Sequence, residues 1–93
     1  PDFKIHASPV RHLIPTMGLR IEFNRTKKVM AYSCDTEPCE EVIRLGAGAD
    51  VMIHEAAGAQ RGHSSAAQAG EIASRAEVGR LYLIHYATGP QNI

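Results

Sequence analysis

Ninety-three residues hold at most one small domain, and a chain this short buries a smaller share of its surface than a full-sized enzyme domain does, so its core is thin. Ten basic residues balance ten acidic ones with no block of like charge, which argues against a dedicated duplex binder, because duplex affinity comes largely from neutralised phosphates. No apolar stretch approaches the roughly 20 residues of a membrane span, and no charged-then-apolar leader opens the chain.

Residues 3–10 alternate loosely and carry a proline, which reads as an edge strand running into the loop that holds His12. His6 is read as a plain strand residue. Residues 19–23 alternate apolar and charged side chains, and 24–28 supply a short polar turn before the apolar run 29–34, so a β-hairpin is expected. Thr36 is placed to cap a helix whose first turn holds Glu37, Pro38 and Glu40 and whose stripe is Val42, Ile43 and Leu45, with Gly46 and Gly48 ending it. Residues 50–53 form the next strand, followed by a loop of small residues. Ser65 and Gln68 have capping-box spacing at the start of a helix reaching about Ala76, with Ala66, Ala69, Ile72, Ala73 and Ala76 as its buried face. Gly79 ends that connection, and 81–84 is the last strand. The order is hairpin, helix, strand, helix, strand.

Three of the apolar runs stop on a residue that can bind a metal or move a proton: 29–34 on Asp35, 51–53 on His54 and Glu55, and 81–84 on His85. Runs of this kind separated by helical segments read as buried parallel strands, whose chemistry gathers at their carboxyl ends. Asp35, Glu55 and His85 are therefore expected along one rim of one sheet. Imidazole and carboxylate are the usual ligands of a hydrolytic zinc. Taken singly, Asp35 reads equally well as a helix cap and His85 as a strand-end histidine held by backbone. Cys34 and Cys39 suit neither a disulfide framework nor a paired-cysteine zinc site, and read as reduced thiols of a cytoplasmic protein. The chain starts at Pro1 and stops just past Gly89 and Pro90, so both ends are expected to continue into a larger protein.

Ser-Cys-Asp-Thr (33–36), Ala-Asp-Val-Met-Ile-His-Glu-Ala (49–56), Gly-His-Ser-Ser (62–65) and Leu-Ile-His-Tyr (83–86) resemble, in order, the S-G-D-T, H-E-A-T, H-S-T and T-H motifs of metallo-β-lactamase-fold hydrolases of the ribonuclease Z-like branch. Val10-Arg11-His12, with Pro15 and Gly18-Leu19-Arg20, is similar to the strand and loop of that branch's third metal motif. The resemblance covers nearly the whole chain. It implies an α/β fold: half of a four-layer αββα sandwich, a mixed sheet with helices packed on one face, residues 1–93 being the carboxyl-terminal half of the domain.

Carried over residue by residue, the resemblance makes His12 and His85 terminal ligands of two metals and Asp35 the bridging carboxylate. His63 becomes the acid that protonates the leaving oxygen and Glu55 the group that orients or charges it. His54 is read as core or as a neighbour of the site, without a ligand role. The implied cofactor is a pair of zinc ions, with manganese or iron as alternatives. The implied substrate is a small ester or phosphodiester, in a homo-oligomer with no membrane association. The family's H-x-H-x-D-H cluster is absent from these residues, Cys34 replaces the usual glycine before Asp35, and Tyr86-Ala87-Thr88-Gly89 lacks the arginine often found after the last histidine. Only 24–28 intervenes where ribonuclease Z enzymes carry a long substrate-gripping arm, so a smaller substrate than tRNA is expected and nucleic acid is less favoured. The alternatives are a tRNA 3′-end endonuclease and a non-catalytic module that keeps the fold.

Overall fold

The alternating and β-branched runs form five strands and the alanine-rich and amphipathic segments two helices in the computed structural model, which describes residues 2–86. The order is β1 (Phe3–Pro9), β2 (Met17–Phe23), β3 (Val29–Tyr32), α1 (Glu40–Gly46), β4 (Val51–Glu55), α2 (Ala66–Ala76) and β5 (Leu81–Ile84). They make one mixed sheet in the order β1-β2-β3-β4-β5. The pairs β1·β2 and β2·β3 are antiparallel, and β3·β4 and β4·β5 are parallel. A short turn suffices for the antiparallel reversal, whereas each parallel pair needs a crossover, supplied here by α1 and α2. The β2–β3 turn is tight: the Phe23 N–H donates to the Lys28 carbonyl at 2.9 Å, and Lys27 takes the left-handed conformation at φ 62°.

Both helices cover the same face. Ala31 and Met52 from the sheet pack with Val42 of α1 and with Ile72, Ala73 and Ala76 of α2 in one cluster. Small side chains let the layers approach. A Cβ at Gly46 would collide with the terminal methyl of Met52, so any larger residue at the end of α1 would require that buried side chain to move. Arg20 reaches from β2 under the end of α1, where its Nη1 donates to the Leu45 and Ala47 carbonyls at 2.7 and 2.9 Å. A cation suits a helix carboxyl terminus, whose last carbonyls lack intrahelical partners.

Among the described residues nothing covers the opposite face. Strand pairing puts Phe3, Ile5, Ile21, Met30, Ile53 and Tyr82 on it together, and Phe3 and Ile5 are 48% and 55% exposed. A sheet apolar on both faces belongs to an architecture with a further layer, as half of an αββα sandwich would be. No helix among the described residues is long and apolar enough to cross a membrane.

Three local expectations change. Thr36 does not cap α1: Glu37 forms a β-bridge with Arg11, and the helix starts only at Glu40, with Cys39 as an N-cap whose side chain makes no capping bond. Strand β4 runs on through His54 and Glu55 and not just to Ile53. In α2 the capping box of Ser65 and Gln68 forms both its bonds, and the buried face is Ala69, Ile72, Ala73 and Ala76; Ala66, at the first position, is exposed.

Candidate metal centre

The carboxyl ends of the parallel strands β3, β4 and β5 lie side by side, and the β1–β2 loop rises beside them. Asp35 follows β3, Glu55 closes β4, His85 follows β5, and His12 sits in the β1–β2 loop. His63 comes from the loop between β4 and α2. Asp35, His63 and His85 offer ligand atoms that all lie within 4.8 Å of one another. The His12 Nε2 is 3.8 Å from Asp35 Oδ2. The His63 ring makes edge contacts with His12 and His85, at centroid distances of 5.0 and 5.7 Å.

Each of the three histidines has its Nδ1 on an acceptor. The His12 Nδ1 lies 2.7 Å from the Gly62 carbonyl, His63 Nδ1 lies 3.0 Å from Glu55 Oε1, and His85 Nδ1 lies 2.8 Å from Asp35 Oδ1. A carbonyl or an ionised carboxylate only accepts, so the proton belongs on Nδ1 and each Nε2 keeps its lone pair. This is the arrangement in which imidazole binds metal or carries a proton.

The backbone beneath is held by Glu55, which is fully buried. Besides His63, its Oε1 accepts the Thr36 N–H and its Oε2 the Ala57 N–H, both at 2.9 Å. Ser33, also fully buried, accepts the Glu55 N–H at 3.0 Å and donates to the Cys34 carbonyl at 2.7 Å. The Ser64 hydroxyl donates to the Thr36 carbonyl at 2.6 Å. Cys34 and His85 both take left-handed backbone, at φ 53° and 55°. Such non-glycine strain collects at functional sites, and at Cys34 it explains why the related motif has glycine there. Burial, and then the Asp35 charge, push the Cys34 thiol up. Both cysteines are free.

Of the residues singled out from sequence, His12, Asp35, Glu55, His63 and His85 are brought together. His6 lies apart on β1, 3.5 Å from Glu22. The segment after Tyr86, where the missing arginine was noted, lies outside the described residues. His63 stands in the tight trio and His12 at its edge, whereas the expected ligand set was His12, Asp35 and His85. Glu37 and Gly62 were missed as site residues: Gly62 accepts from His12, and its N–H donates to Glu37 Oε2 at 2.9 Å. The available signal was the glycine directly before His63.

His54 faces away from the centre, because β4 alternates and Met52 and His54 point to the helices. It is fully buried, its Nδ1 donates to the Glu55 carbonyl at 2.8 Å, and its Nε2 has no partner among the described residues. Burial holds its pKa below the ordinary 6.5 despite that hydrogen bond and the Glu55 charge. The unfolded chain therefore binds a proton at His54 before the folded one does, and this contribution to stability is present above about pH 6.5 and lost as pH falls toward the folded pKa. Denaturant melts of His54→Met should accordingly show a weaker loss of stability over that acid window than the parent protein. An unchanged acid slope would count against a neutral buried imidazole.

A family model described as a beta-lactamase superfamily domain matches residues 1–86. Ribonuclease Z of Methanothermobacter thermautotrophicus is 45% identical over 67 residues, covering 63% of this chain and 22% of the relative. Ribonuclease Z of Mycolicibacterium gilvum is 39% identical over 101 aligned positions, covering 91% of this chain and 35% of the relative. The crystal structure of the metallo-beta-lactamase fold protein YhfI from Bacillus subtilis superposes with a TM-score of 0.86 at 26% identity, covering 98% of this chain and 40% of that one. The chain thus spans about a fifth to a third of the length of these curated relatives.

Proposed function

Because the chain belongs to the β-lactamase superfamily, in its ribonuclease Z-like branch, we propose that it forms the carboxyl-terminal half of a metal-dependent hydrolase cleaving an ester bond, with a phosphodiester as the first choice of substrate. The observation that carries this reading is the convergence of Asp35, His63 and His85 within 4.8 Å. The donor set fits: imidazole and carboxylate are what a hydrolytic zinc takes, and the Nδ1 anchors on Gly62 and Glu55 leave the Nε2 of His12 and of His63 free. His12 and His85 would hold one divalent metal each, with Asp35 between them. Bound there, zinc would supply Lewis acidity and acidify water from a pKa of about 15.7 toward ~7. The remaining donors would come from the part of the protein corresponding to the relatives' further length. The same part would supply the second sheet over the open apolar face.

This chain's own side chains do the rest. Glu55 keeps the His63 Nδ1 protonated and its ring fixed, so a second proton on Nε2 is the one delivered to the leaving oxygen. The tight turn at 24–28 favours a small diester over tRNA. The second reading, 3′-end cleavage of precursor tRNA, is favoured by the identity to proteins named ribonuclease Z. The full-length protein is expected to hydrolyse bis(p-nitrophenyl) phosphate, to lose that activity to a chelator and to regain it with zinc. Activity that survives chelation would sink the metal-dependent reading, and cleavage of precursor tRNA at its 3′ end would select the second.

A further inference from the structure

His12 is held in a closed ring of hydrogen bonds that no part of the reaction above requires. The Glu37 N–H donates to the Arg11 carbonyl at 2.7 Å, Glu37 Oε2 accepts the Gly62 N–H at 2.9 Å, and the Gly62 carbonyl accepts the His12 Nδ1–H at 2.7 Å. Arg11 and His12 are neighbours in the chain, so the ring closes on itself. Glu37 grips His12 from both sides, through the backbone before it and through the loop against its ring. We propose that Glu37 is a positioning residue that acts through Gly62 to fix the tautomer and orientation of His12, and so sets metal affinity at the centre.

Gly62 is shaped for this task. It is buried, its φ is +85°, and a Cβ on it would lie 3.0 Å from both His12 Nδ1 and Leu13 Cγ. Only a residue without a side chain lets the peptide come this close to the imidazole. Its carbonyl cannot donate, so it accepts only the Nδ1–H tautomer and directs the lone pair to Nε2, the atom that faces Asp35. Gly62 needs its own restraint, because it lies in a loop of small residues and its N–H and C=O belong to two successive peptide units. Glu37 supplies it with a carboxylate, the stronger kind of acceptor for a backbone N–H. The next residue is His63, so the peptide that orients His12 also carries the candidate acid. Outer hydrogen-bond partners of this kind typically change metal affinity by about 10- to 100-fold.

This inference rests on the metal-binding reading, but its first test does not. In the metal-free full-length protein, the ¹⁵N shifts of the His12 imidazole, assigned by their absence in His12→Gln, should report the Nδ1–H tautomer. An Nε2–H tautomer in the parent protein would overturn the proposal whether or not metal binds. Glu37→Ala should broaden or shift that signature toward a tautomer mixture and weaken zinc binding, measured by competition with a chelating dye, by about 10- to 100-fold. Glu37→Gln keeps an oxygen acceptor for the Gly62 N–H and should restore both readouts close to the parent. Alanine without effect on either readout, or glutamine as damaging as alanine, would overturn the positioning role. A parent protein that shows the expected tautomer yet binds no zinc would instead sink the proposed function, and with it the effect on metal affinity, while the orienting of His12 by Glu37 would stand.

Discussion

Asp35→Ala in the full-length protein is expected to weaken metal binding by more than the roughly 100-fold that loss of an outer hydrogen-bond partner causes, and to abolish hydrolysis with it. Asp35 is the carboxylate of the close trio and, among the described residues, the group in hydrogen-bond or ion-pair reach of both His85, at 2.8 Å, and His12, at 3.8 Å. Its removal takes away the negative charge on which two imidazoles converge. The fold should tolerate it. The side chain is 37% exposed, beyond the end of β3, and exposed ion pairs of this kind contribute about 1 kcal/mol or less. Elemental analysis of the purified variant separates the two outcomes. Unchanged metal stoichiometry in a folded protein would remove Asp35 from the bridging position. Asp35→Asn sharpens the test, since it keeps the shape and an acceptor oxygen but not the charge, and is expected to lose metal as well.

The strands were legible because each is a short apolar or alternating run bounded by turn chemistry, and α2 because Ser65 and Gln68 announce it. The rim was legible for the same reason: three runs end on Asp35, Glu55 and His85, and parallel pairing brings such ends together. Thr36 misled because its hydroxyl suits an N-cap, yet the Arg11–Glu37 bridge claims the backbone there. It instead accepts the Arg11 N–H at 2.9 Å. His54 and Glu55 could not be separated by composition alone. Their different roles follow from strand alternation once β4 is known to extend through both. Glu37 and Gly62 act across 25 residues of sequence, and no local pattern announces a hydrogen bond between them.

Two incomplete features of the structure have one explanation. Under the proposed function the described residues offer too few ligands for two metals, and they leave an apolar face of the sheet without a second layer. The carboxyl ends of β3, β4 and β5 form one edge of that sheet, so a layer laid on the open face would also flank the centre. A single additional sheet, carrying the missing donors on its own strand ends, would satisfy both needs. Asp35, His63 and His85 converge through hydrogen bonds of this chain's own residues.

His63→Ala is expected to leave metal content unchanged while slowing turnover by about 10²- to 10⁴-fold, the usual worth of a placed general acid. The loss should grow as the leaving group becomes more basic. An aryl oxide such as p-nitrophenolate departs without help, whereas an alkoxide needs the proton. Glu55 makes this assignment chemically coherent: it is buried, and it fixes His63 through Nδ1 at 3.0 Å, which leaves Nε2 to exchange the proton. The same geometry also suits a ligand, because a carboxylate behind an imidazole is a common partner of metal-binding histidine and His63 stands inside the trio. The two roles separate experimentally. A ligand lost to alanine takes metal with it and slows all substrates alike, whereas an acid lost to alanine leaves metal in place and steepens the dependence of rate on leaving-group pKa. Equal slowing across a series of leaving groups, with metal retained, would exclude the general acid.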